Sequence, residues 1–221
     1  MTWSQFDALR WVLKHPLNRG RQGRALMRWA GTQMRSHIFG HVRAVPFIDD
    51  VRLYIGPGLT VPNMQHFAGL GEMDVMGFLM HFLRPDDVFV DVGANVGVIS
   101  VLGAGIAGAR TIAVEPDPQA FKWLRRHAEL NGLDGRIATE EAALGEINGT
   151  ISLSDDRGAA NRVALPGDGS SQSVRCLPLD ELLADEKPNV IKIDVEGYEL
   201  PVLRGARNTL RQQELAAVIV E

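Results

Sequence analysis

The sequence predicts an α/β domain, with a mostly parallel, doubly wound sheet and helices on both faces. Three observations predict it. VFVDV (88–92) and TIAVE (111–115) are continuous apolar, β-branched runs, as expected of strands buried on both sides. Residues 117–132 read as a helix with a clear start and stop. Asp117 caps it, Pro118 takes its first position, Phe121, Leu124 and Ala128 share a face, and Asn131-Gly132 ends it. Three more strand candidates, in RIATEEAAL, VIKIDVE (190–196) and AAVIVE (216–221), alternate with helical stretches, and that alternation gives crossovers and parallel pairing.

Taken in chain order, residues 1–45 are a basic helical arm, 46–87 are short strands and a helix that pack on the core, and 88–221 are the core itself. In the arm, Phe6, Leu9 and Leu13 and then Leu26, Trp29 and Ala30 have helical spacing, broken at His15-Pro16 and near Arg19-Gly20. Residues 42–62 read as strands with a turn at Pro57-Gly58, and 71–83 as a helix ending before Pro85. After the helix 117–132, residues 145–178 interrupt the alternation with ISLS, a Gly/Ser-rich stretch and SVRCLPL, which suits an inserted hairpin. Asp180 is placed to cap ELLADE. Residues 198–210 form a helix with Leu200, Leu203, Ala206 and Leu210 inward.

Charge is uneven. The arm holds eight Lys or Arg (Arg10, Lys14, Arg19, Arg21, Arg24, Arg28, Arg35, Arg43) against one acid, Asp7, while the whole chain is at −4. Three of the four tryptophans, Trp3, Trp11 and Trp29, also lie there. Two readings of the arm stand: a helical arm packed on its own domain with solvated arginines, or a peripheral contact with an anionic membrane. Elsewhere no basic surface is evident, so no nucleic-acid partner is expected. A lone cysteine, Cys176, suits a reducing compartment and a cytoplasmic protein. No signal peptide is seen. The uncharged run 92–109 has membrane-span length, but its five glycines and Asn95 suit a buried loop and helix.

Two glycine clusters compete for a ligand. GAGIAG (103–108) matches the dinucleotide fingerprint letter for letter, yet the helix it would open, ARTIAV, is β-branched and stopped by Pro116. It belongs at the end of a helix, where glycine permits close packing. DVGANVG (91–97) follows a strand and opens a helix running from about Asn95 to Gly105, as a nucleotide loop must. The next strand ends in Glu115, 18 residues beyond Gly97, placed to accept hydrogen bonds from both ribose hydroxyls of an adenosine. Asp91 at the loop mouth would repel a diphosphate and attract a ligand with an ammonium and a sulfonium. Charge therefore favours S-adenosyl-L-methionine over NAD.

FVDVGANVG, AVEPDP, LPLDELL, IKIDVEGYELPVLRGA and VIVE together resemble the FkbM family of S-adenosylmethionine-dependent methyltransferases, over about residues 72–221. The resemblance implies a Rossmann-like class I methyltransferase sheet. It implies that Asp91, Gly93, Asn95 and Gly97 line the methionine end of the cofactor and that Glu115 holds its ribose. Asp194 and Glu196, at the carboxyl end of the fourth strand, would face the reacting centre, with Asp194 also near the cofactor. Glu72 would close over the cofactor. Residue by residue, Asp194, Glu196, His66 and His81 are candidate bases for a hydroxyl acceptor, and Lys192 pairs with an acid.

The six histidines show no metal-ligand spacing, so no metal is expected. No Asn/Asp-Pro-Pro-aromatic segment follows the fourth strand, which argues against methylation of a base amine. The resemblance points instead to O-methylation of a hydroxyl on a sugar, glycolipid or secondary metabolite, with a small-molecule or glycan acceptor. The alternatives are a module that binds the cofactor without turnover and a nicotinamide-dependent reductase. The sequence stops at Glu221 on its fifth strand, where such sheets continue into a C-terminal strand pair. That pair is expected to be missing, and the open edge is expected to favour a homodimer or poor folding.

Overall fold

The computed structural model describes residues 5–154, 163 and 171–221. Trp3, the side chains of Phe6, Arg35 and His37, and most of the Gly/Ser-rich stretch lie outside the described residues. The arm folds as α1 (Gln5–Lys14), a 3₁₀ turn (Pro16–Asn18) and α2 (Gln22–Phe39). The break falls where Pro16 removes a backbone donor; His15 caps the turn through Nδ1, which accepts from the Leu17 N–H. Asn18 is buried and donates to the carbonyls of Val12 and Phe67.

A hairpin follows, β1 (Arg43–Pro46) against β2 (Arg52–Ile55). The expected strand reading to residue 62 is corrected, because Thr60–Ala68 is a helix, α3. Locally Thr60-Val61-Pro62 resembles strand, but Pro62 lies in the first turn, where its missing N–H needs no helical partner. Phe67 of α3 is then buried against Val12 and Ala25 of the arm, so tertiary packing overrides propensity. Helix α4 (Met73–Phe82) ends ahead of Pro85 as its spacing predicts.

The core elements are β3 (Val88–Val92), α5 (Val98–Gly105), β4 (Arg110–Val114), α6 (Pro118–Leu130) and β5 (Ile137–Glu140). Asp117 caps α6, accepting from the N–H groups of Gln119 and Ala120. An excursion follows: β6 (Ala143–Leu144), β7 (Gly149–Ser154) and β8 (Ser171–Leu177), in which β7 and β8 form the expected antiparallel hairpin and β6 runs parallel to β8. The chain closes with α7 (Leu179–Leu182), β9 (Val190–Ile193), α8 (Glu199–Arg204), a 3₁₀ turn (Thr209–Arg211) and β10 (Ala217–Val220).

The main sheet is parallel throughout, in the order β10-β9-β3-β4-β5. The chain winds outward from β3 to β5 and then returns to place β9 on the other side of β3. The order reverses there, and open parallel sheets form ligand crevices at the carboxyl ends of such strands. Side chains alternate between faces: Phe89 joins the core under α4 and α5, while Val90 and Val92 join the core under α7 and α8.

GAGIAG serves packing, as its position predicts. A Cβ on Gly103 would stand 2.8 Å from the Phe89 ring, and one on Gly105 would stand 2.7 Å from Val51. Two expectations are corrected. Asp180 does not cap ELLADE; it accepts from the N–H groups of Asn208 and Thr209 and from the Thr209 hydroxyl, and so caps the 3₁₀ turn. The helix expected over 198–210 ends at Arg204, with Val202 and Ala206 buried and Leu200 at 57% exposure. At Gly205 the backbone meets the Gly145 carbonyl so closely that a Cβ would overlap it, and the helix gives way to that contact.

Candidate cofactor and active site

The DVGANVG loop leaves β3 with its first two free amides, Gly93 and Ala94, both donating to the Val114 carbonyl at 3.0 Å. This ties the loop to the end of β4. Gly93 has φ +78°, and a Cβ there would overlap the carbonyl oxygen of Asp194. Only glycine lets the loops after β3 and β9 approach so closely. Asn95 takes φ +51°, a conformation asparagine tolerates better than most residues. Gly97, at φ +83°, caps α5, and a Cβ on it would meet Leu124 of α6 at 2.5 Å. Its glycine is thus required by helix packing, whatever it does for a ligand.

Glu115 leaves the end of β4 and turns back over the loop. One carboxylate oxygen accepts from the Asn95 N–H at 2.7 Å and the other from the Asp117 N–H at 2.8 Å. It is 7% exposed, and burial raises its pKa to about 7 against the pull of those two amides. A carboxylate has about four acceptor positions, so each oxygen keeps one for a further donor.

A cleft opens above this loop. Its floor holds Gly93, Asn95, Glu115, Asp194 and Glu196. Its far wall comes from Leu144, Ile151 and Leu153 of the excursion sheet and from Tyr198. None of these four is expected from the sequence to line a site: Ile151 and Leu153 lie in the ISLS run of the inserted segment, Leu144 ends the strand candidate RIATEEAAL, and Tyr198 begins the helix expected over 198–210. Glu196 is exposed and takes φ +53° beside Gly197 at φ +97°, a bend that turns the chain out of β9 at the cleft mouth.

Beneath the floor, Lys192 is buried on β9 with four carboxylates around it. Its ammonium donates to Asp194 at 3.0 Å and stands 3.8 Å from Glu221. Asp91 and Glu72 act on it electrostatically. Burial opposes its charge, but these acids outweigh burial and hold its pKa above the ordinary lysine value. Asp91 is wholly buried and does not line the cleft; one of its oxygens accepts from Ser100 at 2.5 Å and the other has no partner. Burial raises its pKa, opposed by Lys192 and Ser100. Glu72, just ahead of α4, has a buried oxygen without a partner, and burial raises its pKa to about 7.

The sequence expectation that Lys192 pairs with an acid is thus met at Asp194, but its role as centre of an acidic cluster was missed. IKID spacing puts Lys192 and Asp194 on one side of β9; Glu72 and Glu221 arrive only through the fold. The histidine candidates for a base lie elsewhere. His66 sits beside Phe67, and burial, then Arg43 and Arg28, pushes its pKa to about 4. Neither His66 nor His81 lines the cleft. Among the described residues no group of three or more His, Cys, Asp or Glu could hold a metal ion.

The donor set fits a particular ligand shape. Glu115 offers free acceptor positions to a vicinal diol, Pro116 and Ala142 are apolar neighbours for a flat ring, and Asp194 offers negative charge to a cationic end. Fold and cleft together define the class: a parallel α/β domain that cradles a nucleoside-type cofactor at its switch point. Residues 91–221 match the methyltransferase FkbM domain, and the chain belongs to that family.

Among its relatives, the hexuronic acid methyltransferase AglP of Haloferax volcanii is 34% identical over 154 residues, which cover 68% of this chain and 62% of that protein. The ribosomal protein L11 methyltransferase of Edwardsiella ictaluri is 27% identical, over 72% of this chain and 54% of that protein. The chain therefore spans less than two thirds of the length of either relative. Among solved structures, the precorrin-6y C5,15-methyltransferase of Geobacter metallireducens aligns with a TM-score of 0.43 at 15% identity, covering 68% of this chain and 63% of that one.

Proposed function

We propose that the chain binds S-adenosylmethionine and transfers its methyl group to a hydroxyl on a sugar or other small glycan. The observation that carries this reading is Glu115, a buried strand-end carboxylate clamped over a glycine loop with one acceptor position free on each oxygen. The hexuronic acid methyltransferase among the relatives supports a sugar acceptor.

The residues divide the work. Glu115 accepts from the ribose hydroxyls, Gly93 lets the methionine end lie close to the backbone, and Asp194 faces its ammonium, with Asp91 and Glu72 adding negative charge from beneath the floor. When bound, the cofactor supplies an electrophilic methyl carbon on a sulfonium. The chain's task is mainly alignment of the acceptor oxygen with that carbon. Asp194, at the cleft floor, and Glu196, at its mouth, are the two carboxylates placed for one of them to take the single hydroxyl proton as the C–O bond forms and the C–S bond breaks, leaving a neutral thioether. The wall of Ile151, Leu153 and Tyr198 packs the acceptor and excludes water.

Calorimetric titration with S-adenosylhomocysteine tests the cofactor assignment. Wild type should bind, and Glu115→Ala should bind at least tenfold more weakly, since two hydrogen bonds to a charged group are lost (about 1.5–3 kcal/mol each). Equal binding by both proteins would remove Glu115 from the site. Binding without methylation of any hexuronic acid or hexose glycoside would favour a module that holds the cofactor without turnover. The reductase alternative would need NADH to bind in place of S-adenosylhomocysteine.

A further inference from the structure

The arm carries surface that the core does not use. Helix α2 has two apolar faces. One turns inward: Ala25 and Thr32 are buried and Trp29 packs with Ala25, Val12 and Phe67. The other turns to solvent. Leu26, Ala30 and Met34 are exposed at intervals of four residues, with Met27 beside them, so they form one stripe along the helix. Met27 is 69% exposed, Met34 59% and Leu26 41%. Leu13 and Leu17, in and after α1, are exposed as well. Single exposed apolar residues are ordinary, but a stripe of large ones at helical spacing is not.

The charge around the stripe has one sign. Arg10, Lys14, Arg19, Arg21, Arg24 and Arg28 are all exposed, and Asp7 is the only acid in the first 45 residues. Arg28 also donates to the His66 carbonyl, which fixes α2 on α3. From this we infer that the arm seats the protein on an anionic lipid surface, with Leu26, Met27 and Met34 entering the boundary between headgroups and acyl chains while the arginines meet lipid phosphates. A helix lying in that plane needs an apolar stripe and a basic flank together.

Neither feature alone would choose the partner; the pair does. A nucleic acid would engage the arginines and leave Leu and Met in water. A second copy of the chain would bring two basic arms together and be repelled. No helix among the described residues is long and apolar enough to cross a membrane, so the contact is peripheral. Vesicle binding needs neither cofactor nor acceptor, so it stands or falls apart from the methyl-transfer reading.

The test is co-sedimentation of the full chain with vesicles of phosphatidylcholine containing about a third phosphatidylglycerol, and with phosphatidylcholine alone. Anionic vesicles should bind about tenfold or more tightly than neutral ones, and added salt should weaken that binding. The pair Met27→Glu and Met34→Glu, and separately the pair Arg21→Glu and Arg24→Glu, should each reduce binding about tenfold. All four positions are exposed, so melting temperatures should stay near wild type. Ile147→Glu, exposed in the turn between β6 and β7, should bind as wild type does. Absence of binding to anionic vesicles would overturn the inference. So would binding that the methionine pair leaves unchanged, and if heparin then competed for it, the surface would be a polyanion site.

Discussion

At the scale of single residues, the acidic cluster under the cleft sets the behaviour most open to measurement. Glu72 has an ordinary carboxyl in the unfolded chain and a pKa of about 7 in the fold, raised chiefly by burial. A raised carboxyl pKa means that the folded state holds its proton longer than the unfolded one. Its neutral form is tolerated below the unfolded value, and stability is lost as pH rises from there through about 7. Glu72→Gln removes that titration while keeping the shape. The variant should therefore match wild type near pH 4.5 and exceed it by about 2–3 kcal/mol near pH 8 in urea melts; a gap that does not change with pH would refute the shift. Lys192 acts in the opposite sense. Lys192→Met strips the cluster of its one buried cation and should cost about 3–5 kcal/mol near pH 8. The cost should shrink toward pH 5 as Glu72 takes up its proton. A deficit equal at both pH values would show that Lys192 contributes by packing alone.

At the scale of elements, His127 ties three pieces together. It lies buried on α6, its Nδ1 side 2.7 Å from the Val96 carbonyl and its Nε2 2.8 Å from the Tyr54 N–H of β2. Those partners require a neutral ring with the proton on Nδ1, because a second proton on Nε2 would face the Tyr54 N–H. Burial lowers the pKa accordingly, opposed by these backbone bonds. The stability His127 supplies is therefore present above pH 6.5 and is lost as pH falls toward the folded value. His127→Phe leaves both backbone groups without partners, at about 1–3 kcal/mol each. The gap between wild type and this variant should be widest near pH 8 and narrow near pH 5. The comparison of two proteins matters here, because Glu72 and Glu115 tilt the wild-type curve the other way.

At the scale of the whole molecule, the cleft exists because two sheets meet over it. The parallel sheet supplies Gly93, Glu115 and Asp194 at its strand ends, and the excursion sheet supplies Ile151 and Leu153 as a wall. A cationic cofactor entering between them should drive protons off Glu72 and Glu115, both near half-ionised at pH 7. Binding enthalpy for S-adenosylmethionine at pH 7 should then depend on the ionisation enthalpy of the buffer, with a fraction of a proton released per ligand. Enthalpies identical in phosphate and Tris would place the ligand away from both carboxylates.

What the sequence determined by itself was whatever local chemistry enforces. The runs at 88–92 and 111–115 became β3 and β4 because residues that apolar and β-branched are stable only when buried on both faces. The Asp117-Pro118 start of α6 was readable because a cap needs only its own next few amides. Even the choice between glycine loops was local, since one cluster follows a strand and opens a helix while the other has no helix to open. The tertiary structure decided what depends on distant neighbours. Thr60–Ala68 is a helix because Phe67 is buried under the arm, and Asp180 caps a turn some 28 residues away instead of its own helix. Gly205 ended a helix because the Gly145 carbonyl occupies the space beside it. Glu221 joined Lys192 because strand order puts β10 beside β9, and Glu72 because the start of α4 is packed near that strand; no spacing along the chain shows either. Electrostatic and packing energies act through space, and the sequence records only separation along the chain.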